Sequence, residues 1–169
     1  MTAYRQTPVS TSAYPTGQVD PQTAEENRIL EKATAILERR MKTKGIMITE
    51  YESARRYVAA RTANYNREVF GVLWLTNRHR VIEVEELFFG TIDSASVHAR
   101  EVVRSALSLN AGAAILFHNH PAGDPTPSSA DRVITQTLAE ALNPVGVKVI
   151  DHIVAANGDT ASMAARGEV

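Results

Sequence analysis

The sequence predicts an α/β fold in which helices flank a mixed β-sheet, with a helical extension at the N-terminus. First, short apolar segments of strand length alternate with longer segments of helical spacing. Second, one apolar segment is hydrophobic on both faces, as a covered central strand would be. Third, 44 % of the 169 residues are hydrophobic, which is enough for the core of one compact domain with a short appendage.

The N-terminal region divides into a tail and a helix. Residues 1–22 are rich in Thr, Ser, Pro and Gln and contain few aliphatic residues, so we expect a flexible tail. Thr23 and Glu26 have the spacing of a capping box, and hydrophobic residues recur after them at helical intervals. We therefore predict a helical segment over residues 23–47.

Residues 48–169 are predicted to form the main domain. A second capping pattern, Thr49 with Glu52, begins a helix. The segment 68–75 then predicts a central strand, because Phe, Val and Trp occupy one face and Val and Leu the other. A turn follows, and the segment 81–89 alternates like a second strand.

The remaining elements continue the alternation of helices and strands. Hydrophobic residues at helical spacing predict a helix over residues 99–107, and residues 113–117 form a short apolar strand. A loop rich in Pro and Gly covers residues 120–127. A helix over residues 128–142 and a strand over residues 147–155 complete the predicted fold.

Composition excludes several classes of function. The absence of cysteine removes disulfides, cysteine nucleophiles and thiolate metal sites, so any metal must be held by His, Asp, Glu or water. A formal net charge of -1 gives no overall attraction to nucleic acid or anionic membranes. No apolar run approaches the ~18 residues that span a bilayer, and residues 1–20 lack the pattern of a secretory signal. We therefore expect a cytoplasmic protein that does not contact membranes.

The segment from His118 to Asp131 contains the residues most suited to chemistry. His118 and His120 follow an apolar strand and are two positions apart, so both imidazoles can face the same point. A loop with three prolines and one glycine follows, and Asp131 comes three residues after Ser128 in the first turn of the next helix. Two imidazoles and one carboxylate would leave the fourth tetrahedral position of Zn²⁺ for water, as in catalytic zinc sites.

Each part of this segment also has a plain structural interpretation. A His-x-His pair alone is weak evidence for a metal site, and Ser128 with Asp131 matches the signature of a helix cap. Asp124 is equally suited to a turn. The combination of a histidine pair at a strand end, a stiff loop and a carboxylate in the next helix is hard to explain by packing alone.

The spacing His-x-His, seven residues, Ser, two residues, Asp resembles the JAMM (MPN-plus) metalloprotease motif. The longer sequence pattern, His-Asn-His-Pro-x-Gly followed by Pro-Ser-x-x-Asp, resembles the bacterial RadC branch of the JAMM family. Further blocks that resemble this branch lie in the expected order within residues 50–165 and begin at Glu68, Leu87, Val97 and Asp151.

The resemblance implies a JAMM/MPN fold, which is similar to that of cytidine deaminases, and a zinc-dependent hydrolase of peptide or isopeptide bonds. It implies that His118, His120 and Asp131 bind zinc. It also implies that Glu68 acts as general base on the zinc-bound water and that Ser128 steadies the oxyanion. A peptide or protein substrate is implied, and the edge of the strand over residues 81–89 could receive it by strand addition.

The sequence also departs from the family in places. Asn119 stands where eukaryotic isopeptidases usually have Ser or Thr, and Ala122 replaces a frequent Ser. The chain has no counterpart of the helix-hairpin-helix region of long RadC proteins and resembles the short prophage and plasmid versions. That region is the part of long RadC proteins most readily associated with DNA. The family name "DNA repair protein" is therefore a poor guide to the function of this chain.

An alternative function is that of a DNA-associated accessory protein of a mobile element. It is suggested by the family name and by a locally basic stretch, which interspersed glutamates also explain as a solvated face: Arg55, Arg56, Arg61, Arg67, Arg78 and Arg80. Base deamination is disfavoured, because the paired-cysteine motif of those enzymes is absent. His152 is suited either to orienting a ligand or to a semi-buried structural role, whereas His79 and His98 fit surface or capping positions.

Overall fold

The computed structural model describes residues 20–43, 51–90 and 97–169. Within these ranges no helix is both long enough and apolar enough to cross a membrane. The elements are α1 Pro21–Thr43, α2 Tyr51–Thr62, β1 Val69–Leu75, β2 Val81–Phe89, α3 Ala99–Ser108, β3 Ala113–Asn119, α4 Ser129–Leu142, β4 Lys148–Ala156 and β5 Asp159–Ser162, with short 3-10 turns at Asn143–Val145 and Ala164–Arg166.

The sheet has the order β2-β1-β3-β4-β5, in which only β3 and β4 are parallel. The predicted mixed α/β fold is therefore confirmed. All seven residues of β1 are buried, which explains why its sequence is apolar on both faces. In β2, at the edge, Val81 and Val84 are buried, the other positions are half-buried and Phe89 is exposed.

Helices cover both faces of the sheet. On one face α2 contributes Ala54, Tyr57 and Val58 to a core with residues of β1 and β3, namely Leu73, Leu75, Ala113, Ile115 and Phe117. On the other face α3 and α4 pack against Phe70, Val72 and Trp74. Because side chains of β3 alternate between these faces, the last residues of that strand point in turn to the α3/α4 side and to the α2 side.

The start of α1 corrects one prediction. The helix begins at Pro21, and the Asp20 side chain accepts hydrogen bonds from the backbone N–H groups of Gln22 and Thr23 at 3.3 and 3.2 Å. Asp20 is thus the N-cap, and the expected cap at Thr23 is wrong by three residues because Pro suits the first helical position. The expected tail over residues 1–22 lies almost wholly outside the described residues, as does Thr49 of the second capping pattern.

A strand that the sequence analysis did not predict, β5, closes the sheet beside β4. The two strands are joined by Asn157 and Gly158, both with positive φ, of 48° and 84°. Asn-Gly is the preferred pair for a two-residue hairpin turn, because both positions of a type I′ turn need positive φ. This dipeptide was the available signal for β5.

A polar cluster joins α1 and α2 to the edge strand β2. The Arg61 guanidinium lies 3.2 Å from a Glu38 carboxylate oxygen of α1 and 2.7 Å from one of Glu86 on β2. Tyr57 Oη donates to Glu38 at 3.2 Å, and Tyr65 Oη donates to Glu86 at 2.5 Å. Because these side chains are partly buried, their ion pairs are screened less than surface pairs are.

Gly71 allows β1 to pack closely against β3. A Cβ at this position would lie 2.3 Å from Phe117 Cζ and 2.6 Å from the backbone oxygen of Glu85, so Gly71→Ala has to displace the aromatic ring. We expect the free energy of unfolding to fall by about 3 kcal/mol. Denaturant titration measures this change.

The matched control is Gly146→Ala. Nothing lies within 4 Å of a Cβ at Gly146, and its φ of +77° is the sole source of strain, so we expect a loss of about 1 kcal/mol. Equal losses for the two variants would contradict the packing argument.

Candidate metal centre

Three potential ligands converge at the end of β3. His118 Nε2 lies 2.9 Å from His120 Nε2 and 3.1 Å from Asp131 Oδ1, and His120 Nε2 lies 3.5 Å from Asp131 Oδ2. These three residues form a group that could hold a metal ion, with one ligand atom from each within 4.8 Å of the others. The strand brings the two imidazoles to one face, and the first turn of α4 brings the carboxylate.

The spacing of these atoms fits a small tetrahedral ion. Bonds of about 2.0–2.1 Å at tetrahedral angles hold neighbouring ligand atoms roughly 3.3–3.4 Å apart. The two Nε2 atoms, at 2.9 Å, and His118 Nε2 and Asp131 Oδ1, at 3.1 Å, lie slightly closer than this. Two imidazole nitrogens and a carboxylate oxygen are ligands that Zn²⁺ accepts, and three protein ligands leave a fourth position open. The His120 side chain keeps 18 % of its surface exposed, whereas those of His118 and Asp131 keep 0 % and 3 %. The group is therefore open to solvent on the His120 side.

A chain of buried hydrogen bonds fixes the orientation of His118. Its Nδ1 lies 2.8 Å from His152 Nε2, and His152 Nδ1 lies 2.6 Å from Thr135 Oγ1. The Thr135 hydroxyl donates in turn to the backbone oxygen of Asp131 at 2.5 Å. If each group donates to the next, His118 keeps its proton on Nδ1 and presents the Nε2 lone pair to the metal position.

The Pro- and Gly-rich loop also fixes the tautomer of His120. His120 Nδ1 lies 2.7 Å from the backbone oxygen of Asp124, so this nitrogen donates and Nε2 is left with its lone pair. The backbone N–H of His120 donates to Ala155 of β4 at 2.8 Å. Gly123 makes the loop possible, because its φ is +94° and a Cβ there would lie 2.5 Å from Asn157 Nδ2.

Asp131 serves both the helix cap and the ligand group. Its Oδ2 accepts hydrogen bonds from the backbone N–H and the hydroxyl of Ser128 at 2.6 and 2.7 Å, and Ser128 Oγ accepts from the Asp131 N–H at 3.2 Å. Ser128 and Asp131 thus form the reciprocal capping box that their spacing suggests. The oxygen that faces His118 is Oδ1, which the cap leaves available for a metal ion.

Electrostatics in the group follow from burial and from these contacts. Burial acts to raise the pKa of Asp131, but its interactions with the nearby His118 and His120 outweigh burial, and the pKa lies well below its ordinary value. The hydrogen bond to Asp131 is the largest cause of the raised pKa of His120. Burial, reinforced by the nearby His118, lowers the pKa of His152, so this ring is neutral near pH 7.

Glu68 lies directly before β1 and next to the ligand group. Phe70, two residues after Glu68, pairs with His118 in the last pair of the ladder between β1 and β3. The charge of Glu68 contributes to the raised pKa of His120, and its backbone oxygen accepts from the Gly90 N–H at 2.9 Å. The structure therefore brings Glu68 and Ser128 to the edges of the group formed by the three ligands.

A cleft opens beside His120 on the α2 side of the sheet. Its wall combines the end of α2, the loop after His120 and the turn between β4 and β5: Thr62, Ala63, Tyr65, Asn119, His120, Pro121, Ala155, Ala156, Asn157 and Gly158. His118, Asp131, Glu68 and Ser128 do not line this cleft, so it meets the ligand group at His120.

The remaining histidines and arginines play other parts. His98 is the exposed N-cap residue of α3, and His79 lies on the exposed turn between β1 and β2. The arginines are dispersed: Arg61 pairs with Glu38 and Glu86, and the Arg55 side chain donates to Thr160. Sequence reasoning missed Thr135, although its position four residues after Asp131 places both on one face of α4.

A sequence model of the family described as "RadC-like JAB domain" matches residues 48–168. This range contains β1, β3, α4 and β4, and with them all the residues of the ligand group, Glu68, Ser128, Thr135 and His152. The five-stranded mixed sheet flanked by helices is consistent with the JAB/MPN fold.

Curated relatives of two lengths match the chain. A UPF0758 protein of Vibrio cholerae serotype O1 is 49 % identical over 146 residues, which are 86 % of this chain and 91 % of that protein. A second one from that bacterium is 50 % identical over 144 residues, 85 % of this chain and 90 % of the relative. A UPF0758 protein of Nitrosococcus oceani is 53 % identical over 124 residues, 73 % of this chain but 55 % of its own length. These names describe no activity.

The hydrogen-bond chain behind His118 yields a test. Thr135→Val removes the acceptor for His152 and the donor to Asp131 while keeping the side-chain shape. We expect a loss of about 1–3 kcal/mol in the free energy of unfolding and a roughly 10–100-fold weaker affinity for Zn²⁺. Denaturant titration and competition with a chromophoric chelator measure these changes.

The control is Thr137→Val on the same helix. Thr137 also donates to the carbonyl four residues before it, at 2.9 Å from Val133, but it is exposed. We expect it to change stability by less than about 0.5 kcal/mol and to leave affinity for Zn²⁺ unchanged. An equal zinc affinity in Thr135→Val and wild type would show that the chain does not support the ligand.

Proposed function

The chain belongs to the family of RadC-like JAB domains, and from this membership we propose that it is a zinc-dependent hydrolase of peptide or isopeptide bonds. The observation that carries the proposal is the convergence of two imidazole nitrogens and one carboxylate oxygen, with Glu68 beside them and an opening to solvent at His120. We propose that His118, His120 and Asp131 hold the ion. When bound, zinc supplies a Lewis-acid charge and lowers the pKa of a coordinated water toward about 7.

Glu68 is the proposed general base. Its carboxylate would accept a proton from the attacking water and deliver it to the leaving amine nitrogen, which must be protonated to depart. Its place directly before β1, the strand next to β3, is suited to this role because continued alternation would put its side chain on the same face as His118. The carboxylate has to reach the water and the leaving group without itself binding the ion.

Ser128 is proposed to stabilise the oxyanion that develops on the substrate carbonyl. Its hydroxyl donates to Asp131 Oδ2 at 2.7 Å, so donation to substrate requires the hydroxyl to turn away from that oxygen. The backbone N–H of Ser128 holds the same oxygen at 2.6 Å and would keep Asp131 in place meanwhile. A hydroxyl on an exposed N-cap can therefore change partners without loosening the ligand.

The proposal first requires metal binding. We expect the purified protein to contain close to one zinc per chain, and we expect His118→Ala and Asp131→Ala to lose it, because each removes one of three ligands. His79→Ala, on the exposed distal turn, is the control and should keep its zinc. Elemental analysis after desalting measures the content. Equal zinc in wild type and both ligand variants would contradict the ligand assignment.

Hydrolysis itself is tested with Glu68→Gln. We expect this variant to retain zinc and to lose roughly 10²–10⁴-fold in kcat, because the amide cannot carry the proton. Cleavage of a peptide library, read by mass spectrometry, compares it with wild type. Glu140→Gln, on the exposed part of α4, is the matched control and should cleave at the wild-type rate. Undiminished cleavage by Glu68→Gln would remove Glu68 as the base.

A further inference from the structure

Asn119, which lies between the two histidines in sequence, has a side chain with an unusual set of partners. It is 4 % exposed, and alternation along β3 places it on the face opposite to His118 and His120. Its Oδ1 accepts from the backbone N–H of Val69 at 2.8 Å, and its Nδ2 donates to the backbone oxygen of Arg67 at 3.0 Å. The carboxamide thus binds the backbone on both sides of Glu68.

These two bonds continue the sheet where the main chain stops pairing. The ladder between β1 and β3 ends at the pair Phe70 and His118. Beyond it the Asn119 carboxamide takes the place of a peptide group, because it offers one acceptor and donors in a similar geometry. On the other side, the Gly90 N–H donates to the backbone oxygen of Glu68 at 2.9 Å. The backbone at Glu68 is therefore held from both neighbouring strands.

We propose that Asn119 is a positioning residue that fixes Glu68 relative to the metal ligands. The inference rests on the proposed role of Glu68 as general base. Because Asn119 is flanked by His118 and His120, any movement of the ligand strand is passed to the backbone around Glu68 through the two hydrogen bonds. The base and the ligands then keep one geometry, and displacements as small as about 1 Å can cost roughly 10²-fold in rate.

Two substitutions separate hydrogen bonding from side-chain volume. Asn119→Ala removes both bonds, whereas Asn119→Asp keeps the volume and the acceptor but loses the donor to Arg67. We expect each to lower kcat by roughly 10–100-fold, with affinity for Zn²⁺ within about threefold of wild type. Thr34→Val is the control for loss of a buried hydroxyl, since Thr34 donates only within α1, to Leu30. It should leave kcat unchanged.

A second readout does not depend on hydrolysis. Amide hydrogen exchange of the zinc-loaded protein, resolved by NMR, reports on the Val69 N–H directly. We expect this exchange to accelerate at least tenfold in Asn119→Ala and to stay near the wild-type rate in Asn119→Asp, which keeps the acceptor. If the wild type cleaves no peptide, the proposed function fails while this measurement still tests the contact.

Three outcomes would overturn the inference. An unchanged Val69 exchange rate in Asn119→Ala would show that the contact does not protect this amide. A loss of zinc as complete as in His118→Ala would show that Asn119 acts on the ligands. A wild-type kcat in both Asn119 variants, or a change confined to KM, would show that the contact does not position the base.

Discussion

The candidate metal centre depends on one constraint: two imidazoles and one carboxylate, each presenting a lone pair, must be held about 3 Å apart inside the protein. Lone pairs that face one another repel, and burying them without partners is costly. Each group is therefore fixed by hydrogen bonds on the side that faces away from the centre: His118 by His152, His120 by the backbone at Asp124, and Asp131 by Ser128. The preset geometry removes the need to order the ligands when an ion binds.

Two short segments, the end of β3 and the start of α4, supply the ligand group and also stabilise the fold. At the end of β3, His118 and the following His120 face the ligand group, while Asn119 faces the other way and bonds to the backbone of Val69 and Arg67. In α4, the Asp131 carboxylate completes the helix cap with Oδ2, while its Oδ1 faces His118 and could bind a metal ion. Helix caps and strand registers each allow few alternative geometries. The positions of the ligand side chains are therefore fixed by the secondary structure on which they lie.

The sequence predicted the elements that have strong periodicity and left out those that depend on tertiary contacts. The boundaries of β2 and the central place of β1 followed from apolar alternation and from burial on both faces. The spacing around Asp131 predicted the capping box, since its partners are local. The proposed role of Glu68 came only from family resemblance, because nothing near it in sequence distinguishes it from an ordinary carboxylate at a strand start.

The contacts that sequence patterns could not predict join residues far apart in the chain. His152 was left with two interpretations; it is fully buried, and its Nε2 contacts Nδ1 of His118, 34 residues away in sequence, as an orienting role would require. Asn119 reaches Val69 and Arg67 across 50 and 52 residues. Such pairings require the register of the folded sheet, which no periodicity of a single segment encodes.

The helical extension is connected through α2 to the cleft beside His120. Tyr65 lines the cleft beside His120, and its hydroxyl donates to Glu86. Arg61 binds Glu86 and also Glu38 of α1, with side chains that are 17 to 27 % exposed. By contrast, the exposed pair Arg28 and Glu25 within α1 adds little to stability. The partly buried cluster thus ties α1, which lies outside the family match at residues 48–168, to one wall of the cleft. The shape of that wall therefore depends on a helix that the shared domain does not include.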